Sequence, residues 1–196
     1  MFLLQSSSHL LYLNDAPLYT GIVYRKRLPE IASFYLRSTL LSCLAESCHP
    51  IGFVIPSSLH KEVDDIFLGL DREQVKIDIS STENDVADIW NTYFIDAFKT
   101  LKYKCALIID QSIELTPGVL YSLIRETAFL DNKPTVIHTS NIAGHLPCPV
   151  TSAFVINSAY FDAFGKVKAY DNYLVSKGSR QIFLPDFRVN HHNNAI

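Results

Sequence analysis

No stretch of this chain reaches the roughly 18 consecutive apolar residues that a membrane span needs. The opening MFLLQSSSHLLYL has neither a basic leader nor an apolar core long enough for a signal peptide. Glycine is scarce and proline no more than ordinary, seven and nine residues, which excludes collagen-like and linker-like chains. Positive charge is not in excess either: 17 Lys and Arg stand against 20 Asp and Glu, for a net charge of −3. A dedicated binder of phosphate backbones carries a basic surplus, so nucleic acid is not an expected partner. Of four cysteines only Cys43 and Cys48 are close, at a spacing that suits neither a zinc ribbon nor a redox dithiol. Free thiols in a reducing compartment are expected, and with them a soluble, cytoplasmic protein.

The commonest nucleotide-binding signatures of α/β proteins are missing too. There is no G-x-x-x-x-G-K loop, and no G-x-G-x-x-G comes after the first apolar run. A G-x-S-x-G nucleophile elbow is also absent. What the chain does have is apolar bulk, 48% of 196 residues, enough to fill one core. A single domain over residues 1–196 is expected.

Short β-rich runs bounded by turn formers recur along it: LYTGIVYR at 18–25, IGFVIP at 51–56, VKIDIS at 75–80 and CALIID at 105–110. PTVIHTS at 134–140, TSAFVINS at 151–158 and QIFLP at 181–185 complete the set. Few carry a central charge, as buried strands of a largely parallel sheet would not. Helical periods lie between them. Pro29 and Glu30 open one with Leu36, Leu40, Cys43 and Leu44 on a single face, and a shorter one spans 59–70. Val86, Ile89, Trp90, Tyr93, Phe94, Ala97 and Phe98 form a continuous core stripe behind Thr82, a suitable N-cap. A fourth helix starts at Pro117 and carries Leu120, Leu123 and Ile124 to about Phe129. The alternation predicts an α/β domain with a mostly parallel central sheet flanked by helices.

In such sheets ligands bind at the carboxyl ends of strands, where the strand order reverses. The residues there are polar: Tyr24, Arg25 and Lys26, then Ser57 and Ser58, then Ser81 to Asn84, then Asp110 to Glu114. Asp110 closes the most apolar run, where a carboxylate suits a divalent cation or a sugar hydroxyl, and equally a turn cap. FLPDFRVNHH reads as a short strand, a proline turn and a second strand ending in His191 and His192. Neighbours on a strand face opposite ways, so one histidine at most meets a given site; a plain polar tail is the alternative. Asp171, in AYDNYLVSKG, reads as the N-cap, or a position beside it, of a short helix closed by Gly178.

The order of these parts resembles a nucleotide-sugar glycosyltransferase of the GT-A type, closest to the inverting family 2 group. GIVYRKRLPEIASFYLRSTLLSCLAES is similar to that group's first strand and helix, IGFVIPSS to its second strand, and STENDVADIWNTYFIDAF to its asparagine-bearing third helix. ALIIDQSIELTPGVLYSLI resembles the strand ending in D-x-D, and TSAFVINSAYFDAFG the acceptor-side strand and helix. YDNYLVSKGSRQIFLPDFRVNHH resembles the segment running from the catalytic carboxylate to the terminal histidine. The similarity covers about residues 18–192 in one order.

The resemblance implies a single GT-A-like, Rossmann-like domain using a UDP-linked or other nucleoside-diphosphate sugar and a glycan or lipid-linked acceptor. Asp110 matches the first acid of D-x-D, and Ser112 stands where the second acid belongs. With His191 they are the implied ligands of Mn²⁺ or Mg²⁺, although a hydroxyl is a weaker ligand than a carboxylate. Asp171 matches the general base, with Tyr170 in place of the usual preceding Glu. Tyr24, Arg25, Ser57 and Asn84 fall where the nucleotide sugar is held; Pro56, Ser57 and Ser58 replace the Asp that commonly reads the base. These departures leave a second reading open, a GT-A-like binding module that has lost catalysis. A nucleotidyltransferase-like enzyme ranks last, because only Asp110 and Glu114 are close enough to share two metals.

Overall fold

The structure, a computed structural model, describes residues 18–24, 30–47, 51–70, 73, 75–80, 86–111, 113–141, 153–167 and 178–191. Strands and helices alternate as the apolar runs predict: β1 (Leu18–Val23), α1 (Glu30–Glu46), β2 (Ile51–Pro56), α2 (Val63–Ile66) and β3 (Val75–Ser80). Then come α3 (Val86–Ile95), β4 (Cys105–Asp110), β5 (Ile113–Leu115), α4 (Val119–Ala128), β6 (Thr135–Asn141), β7 (Ala153–Asn157), α5 (Ser158–Phe164) and β8 (Arg180–His191). The run at 59–70 is less helical than its period suggests: a 3₁₀ segment, Ser57–Glu62, leads into the single turn of α2.

Among the described residues one eight-stranded sheet joins them in the order β3-β2-β1-β4-β7-β6-β8-β5. β3, β2, β1 and β4 run parallel, β7 is antiparallel to β4, and β8 is parallel to β6. Side chains alternate along a strand, and the sheet therefore feeds two cores. On one face Leu36, Leu40 and Cys43 of α1 meet Leu120 and Leu123 of α4 over Ile22, Phe53, Leu107 and Ile109. On the other, Trp90, Tyr93 and Phe94 of α3 meet Tyr160 and Phe161 of α5 over Val54, Ile108 and Phe154. The chain steps outward from β1 to β2 under α1 and returns from β3 to β4 under α3. Opposite directions on opposite faces give crossovers of one hand.

Two strand glycines make room for α3. Gly21 and Gly52 are paired in register, and a Cβ on Gly21 would overlap the ring of Tyr93. The Tyr93 hydroxyl donates across the sheet to the carbonyls of Tyr19 at 2.7 Å and Leu107 at 3.0 Å. A small residue is required there, since the ring lies against the strand backbone itself.

Three local expectations are corrected. The proline turn in FLPDFRVNHH is instead part of the continuous strand β8, whose register against β6 slips between the pairs His138–Phe183 and Ser140–Arg188. Pro185 lies within that irregularity, where a missing N–H does least harm to a ladder. Second, IEL at 113–115 forms β5, too short for any period to reveal. Third, α4 starts at Val119, with Gly118 at φ 86° as its N-cap.

Candidate functional site

The strand order reverses at β1: β2 and β3 lie on one side of it and β4 on the other. Their carboxyl ends are level, because Val23 of β1 pairs with Asp110 of β4. Asp110 comes after Ala106 and Ile108 in the alternation, which puts it on the α3 face of the crevice mouth. It is 1% exposed, and the next residue, Gln111, is tied down by donating its N–H to Val23 O at 3.0 Å. A carboxylate fixed at a reversal point is where an α/β sheet holds a polar ligand.

Beyond Asp110 the sheet curls. β5 begins three residues later, yet β7, β6 and β8 stand between it and β4 in the strand order. Four strand spacings in a flat sheet span about 19 Å. Three Cα steps reach at most about 11 Å, so the far edge must bend back over the end of β4. Ile113 and Leu115 accordingly enter the core beneath α1. β5 pairs antiparallel with β8, with Ile113 opposite His191 and Glu114 opposite Asn190. The turn after Asp110 and the C-terminal end of β8, far apart in sequence, therefore share one end of the sheet.

Helix α1 supports this turn from outside. The Thr39 hydroxyl, fully buried, donates to Ile113 O at 2.9 Å and accepts from Leu115 N at 3.2 Å. At the last residue of α1, Glu46 accepts from Gly118 N at 2.6 Å and Tyr121 N at 3.0 Å. Gly118 has no side chain with which to cap α4, so the carboxylate of Glu46 satisfies its first amides and meets the positive end of its dipole. Neither residue carried a signal in the sequence, since a helical Thr or Glu has many uses.

Asn91 provides a second brace. Its amide donates to Val167 O and its carbonyl accepts from Val167 N, both at 2.7 Å, and a further bond runs to Ala87 O. This fastens α3 to the chain just before residue 168. The two thiols described, Cys43 and Cys105, are buried. Burial pushes Cys105 up to about 12 and Cys43 higher still, so neither is a nucleophile.

Of the residues expected at the site, Asp110 stands at the crevice and Ser57 is exposed at the carboxyl end of β2. Tyr24 goes elsewhere. It shares the face of Leu18 and Ile22, and its ring is buried in the α1 core, 6.2 Å from that of Phe53. The backbone of His191 lies beside the turn. Arg25, Asn84, Ser112, Asp171 and the fallback His192 lie outside the described residues. Among the described residues no group of three His, Cys, Asp or Glu side chains is gathered for a metal ion.

No family model matches the sequence, and no curated protein matches it. Solved structures do. One, described as GalNAc-T7 with UDP, GalNAc and Mn²⁺, superposes with a TM-score of 0.62 over 90% of this chain, at 14% identity. The fold is GT-A-like. The chain spans 44% of that structure's length. Placement in family 2 finds no support in these matches. No helix among the described residues of the GT-A-like fold is long and apolar enough to cross a membrane.

Proposed function

We propose that this chain transfers a sugar, with inversion, from a UDP-linked or related nucleoside-diphosphate donor to an acceptor hydroxyl on a glycan or lipid-linked molecule. One observation carries the reading: in a GT-A-like fold, a buried carboxylate, Asp110, closes the strand at the reversal point, and the end of β8 folds back beside it. That juxtaposition favours a site for a ribose and a diphosphate. The structural relative's UDP and Mn²⁺ agree with it.

Asp110, Ser112 and His191 are the residues that would hold a divalent cation. Among them the buried carboxylate of Asp110 is the oxygen donor that suits Mn²⁺ or Mg²⁺. Such an ion, when bound, offsets the charge of the departing diphosphate. Arg25, Lys26 and Arg27 come just after β1 in the sequence and would supply positive charge to the same group. Asp171 takes the proton of the acceptor hydroxyl as its oxygen bonds the anomeric carbon. The bond to the diphosphate breaks on the opposite side, its electron pair leaving with the phosphate oxygen. We place this reaction in the cytoplasm, where Cys43 and Cys105 stay reduced.

The second reading, a donor-binding module without turnover, draws on Ser112, which removes one carboxylate from the ligand set. Donor hydrolysis separates the two. Slow release of UDP from a UDP-sugar, abolished in Asp171→Asn while UDP still binds, identifies the transferase. Binding without turnover across UDP-, GDP- and dTDP-sugars identifies the module.

A further inference from the structure

Among the described residues β5 is the end strand of the sheet, three residues long, with a strand neighbour on one side. So short an edge strand has little cooperativity of its own and needs support from outside the ladder. Yet it joins the turn carrying Asp110 to the strand end carrying His191. A single hydroxyl supplies the support, since Thr39 bonds to a polar backbone group at both ends of β5, donating to one and accepting from the other. Buried backbone groups deprived of such a partner cost more than the bond itself contributes. Loss of the hydroxyl would therefore loosen β5 rather than leave it in place.

We propose that Thr39 is a positioning residue for the donor site: its hydroxyl holds β5 so that the Asp110–Ser112 turn and the His191 end of β8 stay in register for the diphosphate. This rests on the donor-site reading above. Thr39 touches no ligand, and its effect passes through the backbone of Ile113 and Leu115. The hydroxyl, not the bulk, is what matters. Valine matches threonine in shape and lacks the bond, whereas serine keeps the bond and loses a methyl.

The test compares the full chain as wild type, Thr39→Val, Thr39→Ser and Cys43→Ala, the last a core change one turn along the same helix. UDP with Mn²⁺ is titrated calorimetrically, and melting temperature is recorded alongside. The expected result is a Kd for UDP raised roughly ten-fold, about 1.4 kcal/mol, in Thr39→Val. Thr39→Ser should stay near wild type, and so should Cys43→Ala despite its lower melting temperature. Wild-type binding with equal binding by Thr39→Val overturns the inference alone. A parallel loss in Cys43→Ala also overturns it, because general loosening of α1 then suffices. A folded wild type that binds no UDP overturns the donor reading, and the role of Thr39 with it.

Discussion

His191 stands opposite Ile113 in the antiparallel pair of β8 and β5. That relationship turns a strand end from the C-terminal part of the chain toward the residues just after Asp110. The proposed site would thus be assembled by closure of the sheet's far edge, with Val23 and Asp110 at its floor.

Replacing the buried carboxylate tests the floor. Asp110→Asn keeps the size of the side chain and removes its charge. We expect donor turnover to fall about 10²-fold or more, as when one fixed electrostatic partner of a transition state is lost. Initial-rate measurements of UDP release check this, with circular dichroism to show that the fold persists.

The contact between Gly21 and Tyr93 is a matter of stability, separate from the site. Gly21→Ala puts a methyl where the Tyr93 ring already lies, and should destabilise the protein by about 1–3 kcal/mol. In a Tyr93→Leu background the same change should cost less. Urea unfolding of the four proteins in that cycle gives the coupling.

Acid should weaken the fold through His138. Its ring stacks on Phe183 at 4.8 Å, and its Nε2 donates to Gln181 Oε1 at 2.5 Å. Burial outweighs that bond and holds its pKa below the ordinary histidine range. The unfolded chain therefore takes up a proton first. The stability tied to the neutral ring is complete above about pH 6.5 and is lost as pH falls, at up to about 1.4 kcal/mol per unit, until the folded-state pKa is reached. His138→Gln should flatten that slope in unfolding curves taken from pH 7.5 to 5.

Glu46 caps α4 from another helix. Glu46→Ala leaves Gly118 N and Tyr121 N without their acceptor and should cost about 1 kcal/mol. Thermal unfolding measures this, and amide exchange should rise first at residues 118–121.

Much of the scaffold was legible because its signals are local. IGFVIP, VKIDIS and CALIID became β2, β3 and β4 with the expected limits, since continuous apolar runs between turns have few other uses. Trp90 lies in the core beside Phe154, as the stripe implied. What sequence could not show depends on partners far along the chain. β5 exists through β8 and Thr39, and the start of α4 depends on Glu46. Tyr24 is a different case: alternation from Leu18 and Ile22 already pointed its ring toward the α1 face, but the polar residues after it suggested a site. Asp110 was legible as a strand-end carboxylate, and its buried place beside Val23 comes from the sheet order.

Calorimetric titration of UDP with Mn²⁺ into wild type and Asp110→Asn measures donor binding in the crevice between β1 and β4. Saturable one-to-one binding by the wild type, lost in Asp110→Asn, is the expected result. Equal affinity in the two proteins, or no binding by a folded wild type, would contradict it.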